Sequence, residues 1–163
     1  MAAPVPGDRF VAARRVTQEQ INAYAVASGD HNPLHTDPAF AATTPLGGAV
    51  AHGMLVLAWL SALLTEQFGE QWASNGSFRI RFRAPARPGD VLAVSATVRS
   101  VQASPAGQRA TLDLLVANQD EATVIDGQAT LTVAGERLTA GHPSTTAALD
   151  WSAQSGQTAG RLE

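Results

Sequence analysis

Three polar side chains lie close together in the first quarter of the chain: the carboxylate of Asp30, the amide of Asn32 and the imidazole of His35. Pro33 stands between them, so this segment is not the middle of a regular helix. A carboxylate and an imidazole that reach the same molecule can take up a proton and return it elsewhere. The spacing predicts an acid–base site carried by a loop.

A second block begins at His52-Gly53-Met54 and continues as an apolar run from Leu55 to Leu64. Because this run has no polar stripe, it predicts a helix, from Gly53 to Phe68, that is enclosed on all sides. The first N–H groups of a helix have no partner within it and carry the positive end of its dipole. The N–H of Gly53 is therefore a candidate oxyanion donor, although a glycine there also suits close packing of the helix on a sheet.

Helix signals surround the Asp30 segment on both sides. Thr17 and Gln20 form a capping box for a helix from about Gln18 to Ser28, and Gly29 suits the position just after its end. Asp37-Pro38 is a second start signal, an N-cap followed by proline at the first helical position. We therefore expect the candidate acid–base loop to be held between two helices.

After Gly69 the apolar residues recur with a period of two instead of a helical period. Turn signals separate the alternating segments, at 87–90, 105–107 and 118–120. Short links between strands favour antiparallel pairing. The pattern predicts an α+β domain over residues 1–136, in which an antiparallel sheet packs on the apolar helix. A first strand is possible over 8–14. The alternating segments that predict the other strands are 78–83, 92–99, 112–116 and 125–133.

The composition narrows the function classes. A net charge of −3 with only 15% charged residues does not suggest nucleic-acid binding, and no apolar run approaches the roughly 20 residues of a membrane span. The chain contains no cysteine, so it has neither a disulfide framework nor a thiol nucleophile. No secretory signal is evident at the start, and we expect a cytoplasmic protein. Residues 137–163, rich in Ala, Ser, Thr and Gly, predict a flexible tail.

The motif Gly29-Asp30-x-Asn32-Pro33-Leu34-His35, followed by Ala51-His52-Gly53-Met54, resembles the MaoC-like dehydratases, and most of all the (R)-specific enoyl-CoA hydratases. The resemblance covers roughly residues 8–133. It implies a hot-dog fold, in which a bent antiparallel sheet of about five strands wraps around one long central helix. It also implies a homodimer whose two sheets join edge to edge.

The same resemblance assigns roles to residues of this chain. It implies that Asp30 and His35 are the catalytic pair, that Asn32 supports them and that the Gly53 N–H binds the thioester oxygen. Ser61, within the apolar helix, matches a serine of the family near the site. The implied reaction is hydration of a trans-2-enoyl thioester to a (3R)-3-hydroxyacyl thioester, or the reverse dehydration. It needs no metal and no cofactor other than the coenzyme A or acyl carrier protein of the substrate, and the carrier protein is a possible partner.

Each of these residues also has a plainer interpretation. Asp30 after a helix-ending glycine suits an Asx turn, and the Ser61 hydroxyl can bond back to a carbonyl one turn earlier. His31 and His35 are four apart, but Pro33 between them breaks the helical geometry that would make this spacing a metal pair. For His52 we expect a structural role.

Three alternatives remain open at this point. A hot-dog thioesterase would use the same fold and substrate class, with water attacking the carbonyl. A non-catalytic acyl-binding subunit of a heteromeric dehydratase is a second alternative, although such a chain is expected to lack the acid–base pair. The third is a choice between two interpretations of Arg79, Arg81 and Arg83, which share one strand face. They form either an ordinary solvated face or a patch for the phosphates of coenzyme A or a carrier protein.

Overall fold

The computed structural model describes residues 4–134. The predicted tail, residues 137–163, lies outside this range. The described elements, in chain order, are β1 Arg9–Arg15, α1 Gln18–Ser28, α2 Pro33–Thr36, α3 Pro38–Ala42, α4 Gly53–Phe68, α5 Glu70–Asn75, β2 Ser77–Phe82, β3 Val91–Ser104, β4 Gly107–Ala117 and β5 Thr123–Val133.

The strands form one antiparallel sheet in the order β1-β3-β4-β5-β2. β3, β4 and β5 are a meander, while β1 and β2 occupy the two edges. A register shift between Val98 and Ser100 marks a β-bulge in β3, which is the kind of irregularity that bends a strand. The predicted α+β hot-dog architecture is confirmed, including the three turns that separate the strands.

The inner face of the sheet packs against α4. The alternating residues of β3 and β4, such as Leu92, Val94 and Leu112, are fully buried and form one core with Leu60 and Leu64 of the helix. At the β2 edge, a Cβ on Gly127 would lie 2.2 Å from the carbonyl oxygen of Arg79. Only a glycine allows β2 to lie this close to β5.

The expectation that α4 is enclosed on all sides is wrong within residues 4–134. Its core-facing residues are buried, but Met54, Ala58 and Ala62 are exposed along the opposite side. The sheet of one chain covers only one side of a helix. An apolar sequence pattern indicates that a surface is removed from water. It does not indicate whether residues of the same chain cover that surface.

Two short helices were not expected from the pattern. The segment predicted as a loop contains α2, one turn that begins at Pro33 and includes His35. α4 does end before Gly69, as predicted, but α5 follows it at once and buries Trp72. Both helices are too short for a helical period to be visible in the sequence. None of the described helices is long and apolar enough to cross a membrane.

Candidate active site

Asp30 is positioned by the end of α1. Gly29 caps that helix in a left-handed conformation, with φ 75°, and the chain turns away directly into Asp30. The Oδ1 atom of Asp30 accepts a hydrogen bond of 3.2 Å from the N–H of Asn32, so the Asx turn is present. This bond occupies one carboxylate oxygen and orients the other, Oδ2. The Asp30 side chain is 55% exposed.

His35 is held by the first turn of α2 and by the segment before α4. Asn32 is the N-cap of α2, its side-chain oxygen accepting from the N–H of Leu34 at 2.9 Å. His35 Nδ1 donates to the carbonyl of Val50 at 2.8 Å. A carbonyl can only accept, so Nδ1 carries the proton and the Nε2 of the neutral ring carries a lone pair. That Nε2 lies 4.0 Å from Asp30 Oδ2.

His52, for which we expected a structural role, lies in the same cluster. Its imidazole stacks on that of His35, with ring centroids 3.8 Å apart and an angle of 29° between the planes. His52 Nε2 is 3.0 Å from the main-chain carbonyl of Asp30 and 4.0 Å from Asp30 Oδ2. The only sequence signal for this placement was its position beside Gly53, because the contact spans 22 residues of chain.

The three side chains could be taken for a cation site, since one ligand atom from each lies within 4.8 Å of the others. The protonation of His52 argues against that reading. Its Nε2 faces a carbonyl oxygen, which requires an N–H there, so this nitrogen has no lone pair to offer a metal. A water molecule fits better. Placed about 2.8 Å from both Asp30 Oδ2 and His35 Nε2, it would make an angle of roughly 90° between them.

A cavity of about 300 Å³ lies beside this cluster, and Gly53 is part of its wall. Asp30 and His35 do not line it, and His52 lies between the two wall residues Ala51 and Gly53. The other wall residues are mainly apolar, and they include Leu46, Val56, Phe82 and Val124. The arrangement places an apolar chamber, a helix N-terminus and an acid–base pair next to one another.

Gly53 is also in close contact with the sheet. A Cβ at this position would lie 2.8 Å from Cε1 of Phe82, so the ring rests against the glycine. Both interpretations of Gly53 are therefore compatible with its surroundings. It opens a helix of 16 residues, whose first N–H groups have no partner inside the helix, and it allows Phe82 to pack.

Ser61 lies two turns further along α4, about 12 Å from Gly53 along the helix axis. Its hydroxyl accepts a hydrogen bond of 3.0 Å from the indole N–H of Trp72 in α5. The structure therefore groups Ser61 with Trp72 and not with Asp30 and His35. His31 is exposed and does not belong to the cluster that His35 forms with His52 and Asp30.

The three arginines of the β2 region differ in their surroundings. Arg83 lines the cavity and forms an ion pair with Asp126, through Nε and Nη2, at 2.9 Å each. Arg79 and Arg81 are exposed on β2, whose last residue, Phe82, lines the cavity. Arg79 and Arg81 therefore bring exposed positive charge to the strand that contributes to the cavity wall.

The antiparallel sheet wrapped on one long helix defines a hot-dog protein, and Asp30, His35 and His52 cluster beside the N-terminus of that helix. A family model for the MaoC like domain matches residues 3–118, and the chain belongs to that family. It is 33% identical over 120 residues to the 3-hydroxybutyryl-CoA dehydratase of Methylorubrum extorquens, covering 74% of each chain. It is 32% identical over 127 residues to the (R)-specific enoyl-CoA hydratase of Aeromonas caviae, covering 76% of this chain and 90% of that one. The solved (R)-hydratase of A. caviae superposes with a TM-score of 0.71 at 28% identity, covering 82% and 99%.

Proposed function

We propose that this chain catalyses the (R)-specific hydration of trans-2-enoyl thioesters to (3R)-3-hydroxyacyl thioesters, and the reverse dehydration. The reaction class follows from the family and from the named activities of the two relatives. The observation that carries the proposal to this site is the separation of 4.0 Å between Asp30 Oδ2 and His35 Nε2. That gap suits a single bridging water, which is the co-substrate of hydration.

Both groups that face the gap are acceptors, because the His35 proton is on Nδ1. A bridging water would donate one hydrogen to each and leave an oxygen lone pair free to attack C3. Asp30 takes a proton as the C3–O bond forms and the C2–C3 double bond opens. His35 orients the water through its Nε2 lone pair, and the Asp30 carboxyl then gives the proton that it took from the water to C2, which restores the Asp30 carboxylate. One water is consumed as OH on C3 and H on C2, so the step is balanced.

Negative charge develops on the thioester oxygen when the double bond opens. The N–H of Gly53 would donate to that oxygen, at the positive end of the α4 dipole and in the wall of a mainly apolar cavity. Because the thioester itself stabilises the charge at C2, the reaction needs neither a metal nor an organic cofactor. Asn32 supports the pair by starting α2 and by donating its N–H to Asp30.

The proposal includes a short acyl group and an anionic carrier. A volume of about 300 Å³ is at the lower end for ligand pockets. The arginines 79, 81 and 83 at the nearby sheet edge would meet the phosphates of coenzyme A, or of the phosphopantetheine on an acyl carrier protein. We take coenzyme A as the first carrier to test, and a cytoplasmic location belongs to the same proposal.

The active form would be a homodimer. Within residues 4–134, β2 is an edge strand with unpaired backbone groups on one side, and such edges invite pairing with another chain. Phe82 on this strand is 53% exposed and Met54 at the start of α4 is 56% exposed. Phe82 contacts Gly53, so the two apolar surfaces adjoin. A second copy that pairs along β2 would cover both.

The direct test is incubation of the purified chain with crotonyl-CoA, following the loss of absorbance of the conjugated enoyl group. Chiral analysis of the product should give the (3R) alcohol, and the Asp30→Asn variant is the control. A thiol reagent in a parallel sample monitors free coenzyme A. Hydrolysis would also remove the conjugated enoyl thioester, so a fall in absorbance accompanied by thiol release would instead indicate a thioesterase. No reaction of the pure chain would favour a non-catalytic subunit.

A further inference from the structure

Only 3% of the His52 side chain is exposed, yet the proposed mechanism assigns no role to this residue. Its ring lies between two others: it stacks on His35, and the Tyr24 ring lies 5.0 Å away at an angle of 51°. Its Nε2 makes a hydrogen bond of 3.0 Å to the Asp30 carbonyl. Among residues 4–134, its Nδ1 is buried without any hydrogen-bond partner.

An unpaired buried polar atom costs free energy, so packing alone does not explain a histidine at this position. A phenylalanine would fill the same space without that cost. The polar atom that the structure uses is Nε2, and its partner is the backbone of the proposed catalytic base. The contact joins the residue before α4 to the residue that follows the cap of α1.

The two stacked imidazoles carry their protons on opposite nitrogens. His35 donates from Nδ1 to the carbonyl of Val50, and His52 donates from Nε2 to the carbonyl of Asp30. The result is that His35 presents a lone pair to Asp30 Oδ2, while His52 presents a hydrogen to the same residue's backbone. The stacking fixes the plane of one ring against the plane of the other.

We propose that His52 is a positioning residue, which sets the distance between Asp30 Oδ2 and His35 Nε2 through its hydrogen bond to the Asp30 carbonyl. This inference rests on the proposed hydratase function. His52 does not exchange protons with substrate or water in this role. It keeps the gap between the two catalytic groups wide enough for one water and prevents the exposed Asp30 loop from moving away.

The kinetic test compares two substitutions, one that keeps a hydrogen-bond donor and one that keeps an aromatic ring. His52→Gln keeps a donor near the Nε2 position but has no ring, and His52→Phe keeps the ring but has no donor. We expect His52→Phe to lower kcat by about 10- to 100-fold at nearly unchanged KM, since small misplacement of reacting groups has effects of this size. His52→Gln should retain at least about a third of the parental kcat.

Equal losses in both variants, or no loss in either, would overturn the proposal. A proton-transferring His52 predicts that His52→Gln is as defective as His52→Phe, and a packing role predicts that His52→Phe is the better enzyme. If His52→Phe does not fold, His52→Asn replaces it, because its amide ends near the Nδ1 position and cannot reach the Asp30 carbonyl. When Asp30→Asn is already present, adding His52→Phe should lower the residual kcat little further, since Asp30 and His52 act as a unit.

A second test needs no variant and no activity. In a ¹⁵N-labelled sample of the full chain, long-range ¹H–¹⁵N correlation spectra report which imidazole nitrogen carries the proton. We expect His52 with its proton on Nε2 and His35 with its proton on Nδ1. A His52 proton on Nδ1 would overturn the proposal. If the tautomers are as expected but the parent chain hydrates no enoyl thioester, then the proposed function has failed and the geometric inference has not.

Discussion

The ring of Phe82 rests directly on the Cα of Gly53, so that a Cβ on Gly53 would lie 2.8 Å from the ring. This contact joins the edge strand β2 to the N-terminus of α4, and both residues line the cavity. A side chain at this position would therefore displace the Phe82 ring whether or not the N–H binds the substrate. A substitution that tests the N–H must separate the two roles.

The pair Gly53→Ala and Gly53→Pro makes that separation. Both add a Cβ against Phe82, but only proline removes the N–H. Proline suits the first position of a helix, and His52, with φ −57° and ψ 130°, already has the conformation favoured before proline. We expect Gly53→Pro to have a kcat about 10²–10³-fold below that of Gly53→Ala. Equal kcat values in the two folded variants would remove the N–H from the mechanism.

Removal of either member of the acid–base pair should abolish most of the activity. Asp30→Asn keeps the size of the side chain and loses the charge, and His35→Gln loses the imidazole. We expect each to lower kcat by at least about 10²-fold in the enoyl absorbance assay. Circular dichroism should show a parental fold in both. Near-parental turnover in one of the variants would exclude that residue as an acid or base.

Ser61 is expected to matter for stability more than for turnover. Ser61→Ala leaves the buried indole N–H of Trp72 without its acceptor, which should lower the free energy of unfolding by about 1–3 kcal/mol. Trp72→Phe removes the same bond from the other side and is the matched control. Urea unfolding measures the first effect, and kcat/KM for crotonyl-CoA should change less than about threefold in Ser61→Ala. A larger kcat/KM loss in Ser61→Ala than in Trp72→Phe would instead assign Ser61 to the substrate site.

Leu46 should limit the length of the acyl chain. It lines the cavity from the segment before α4, and its carbonyl is held by the guanidinium of Arg87. Because Leu46 is already 37% exposed, Leu46→Ala removes cavity wall at modest cost in stability. We expect the ratio of kcat/KM for 2-octenoyl-CoA over crotonyl-CoA to rise about tenfold. Phe40→Ala, at a residue 45% exposed and outside the cavity wall, should leave the ratio unchanged.

The proposed dimer predicts different consequences for two exposed apolar residues. Met54, next to Gly53 at the start of α4, is 56% exposed, whereas Val26 is 74% exposed on α1. Light scattering of the parent chain should give twice the monomer mass. Met54→Lys should shift the equilibrium toward monomer, because it would place a charge in the interface. Val26→Lys should stay dimeric. A monomeric parent at micromolar concentration, or a dimer that tolerates Met54→Lys, would contradict an interface at this position.

Local chemistry explains what could be predicted of the fold. The capping box of Thr17 and Gln20 and the left-handed Gly29 define α1 at both ends, because their hydrogen bonds and backbone angles depend only on near neighbours. The period of two defines the strands in the same way. The order β1-β3-β4-β5-β2 depends on contacts between distant segments, so it came from the tertiary structure and not from the sequence pattern.

The candidate site also combines features that depend on near neighbours with features that depend on distant segments. Asp30, Asn32 and His35 were found from the sequence alone, since a carboxylate, an amide and an imidazole around one proline can be read directly from the residue types. Their separation, the proton on His35 Nδ1 and the place of His52 beside them depend on Val50 and on α4, which folding brings to α2. A sequence determines which side chains are available and which short segments form turns and helices, because those choices are local. Only tertiary structure decides which polar atoms face one another, because hydrogen-bond geometry between remote residues is set by the packing of the whole core.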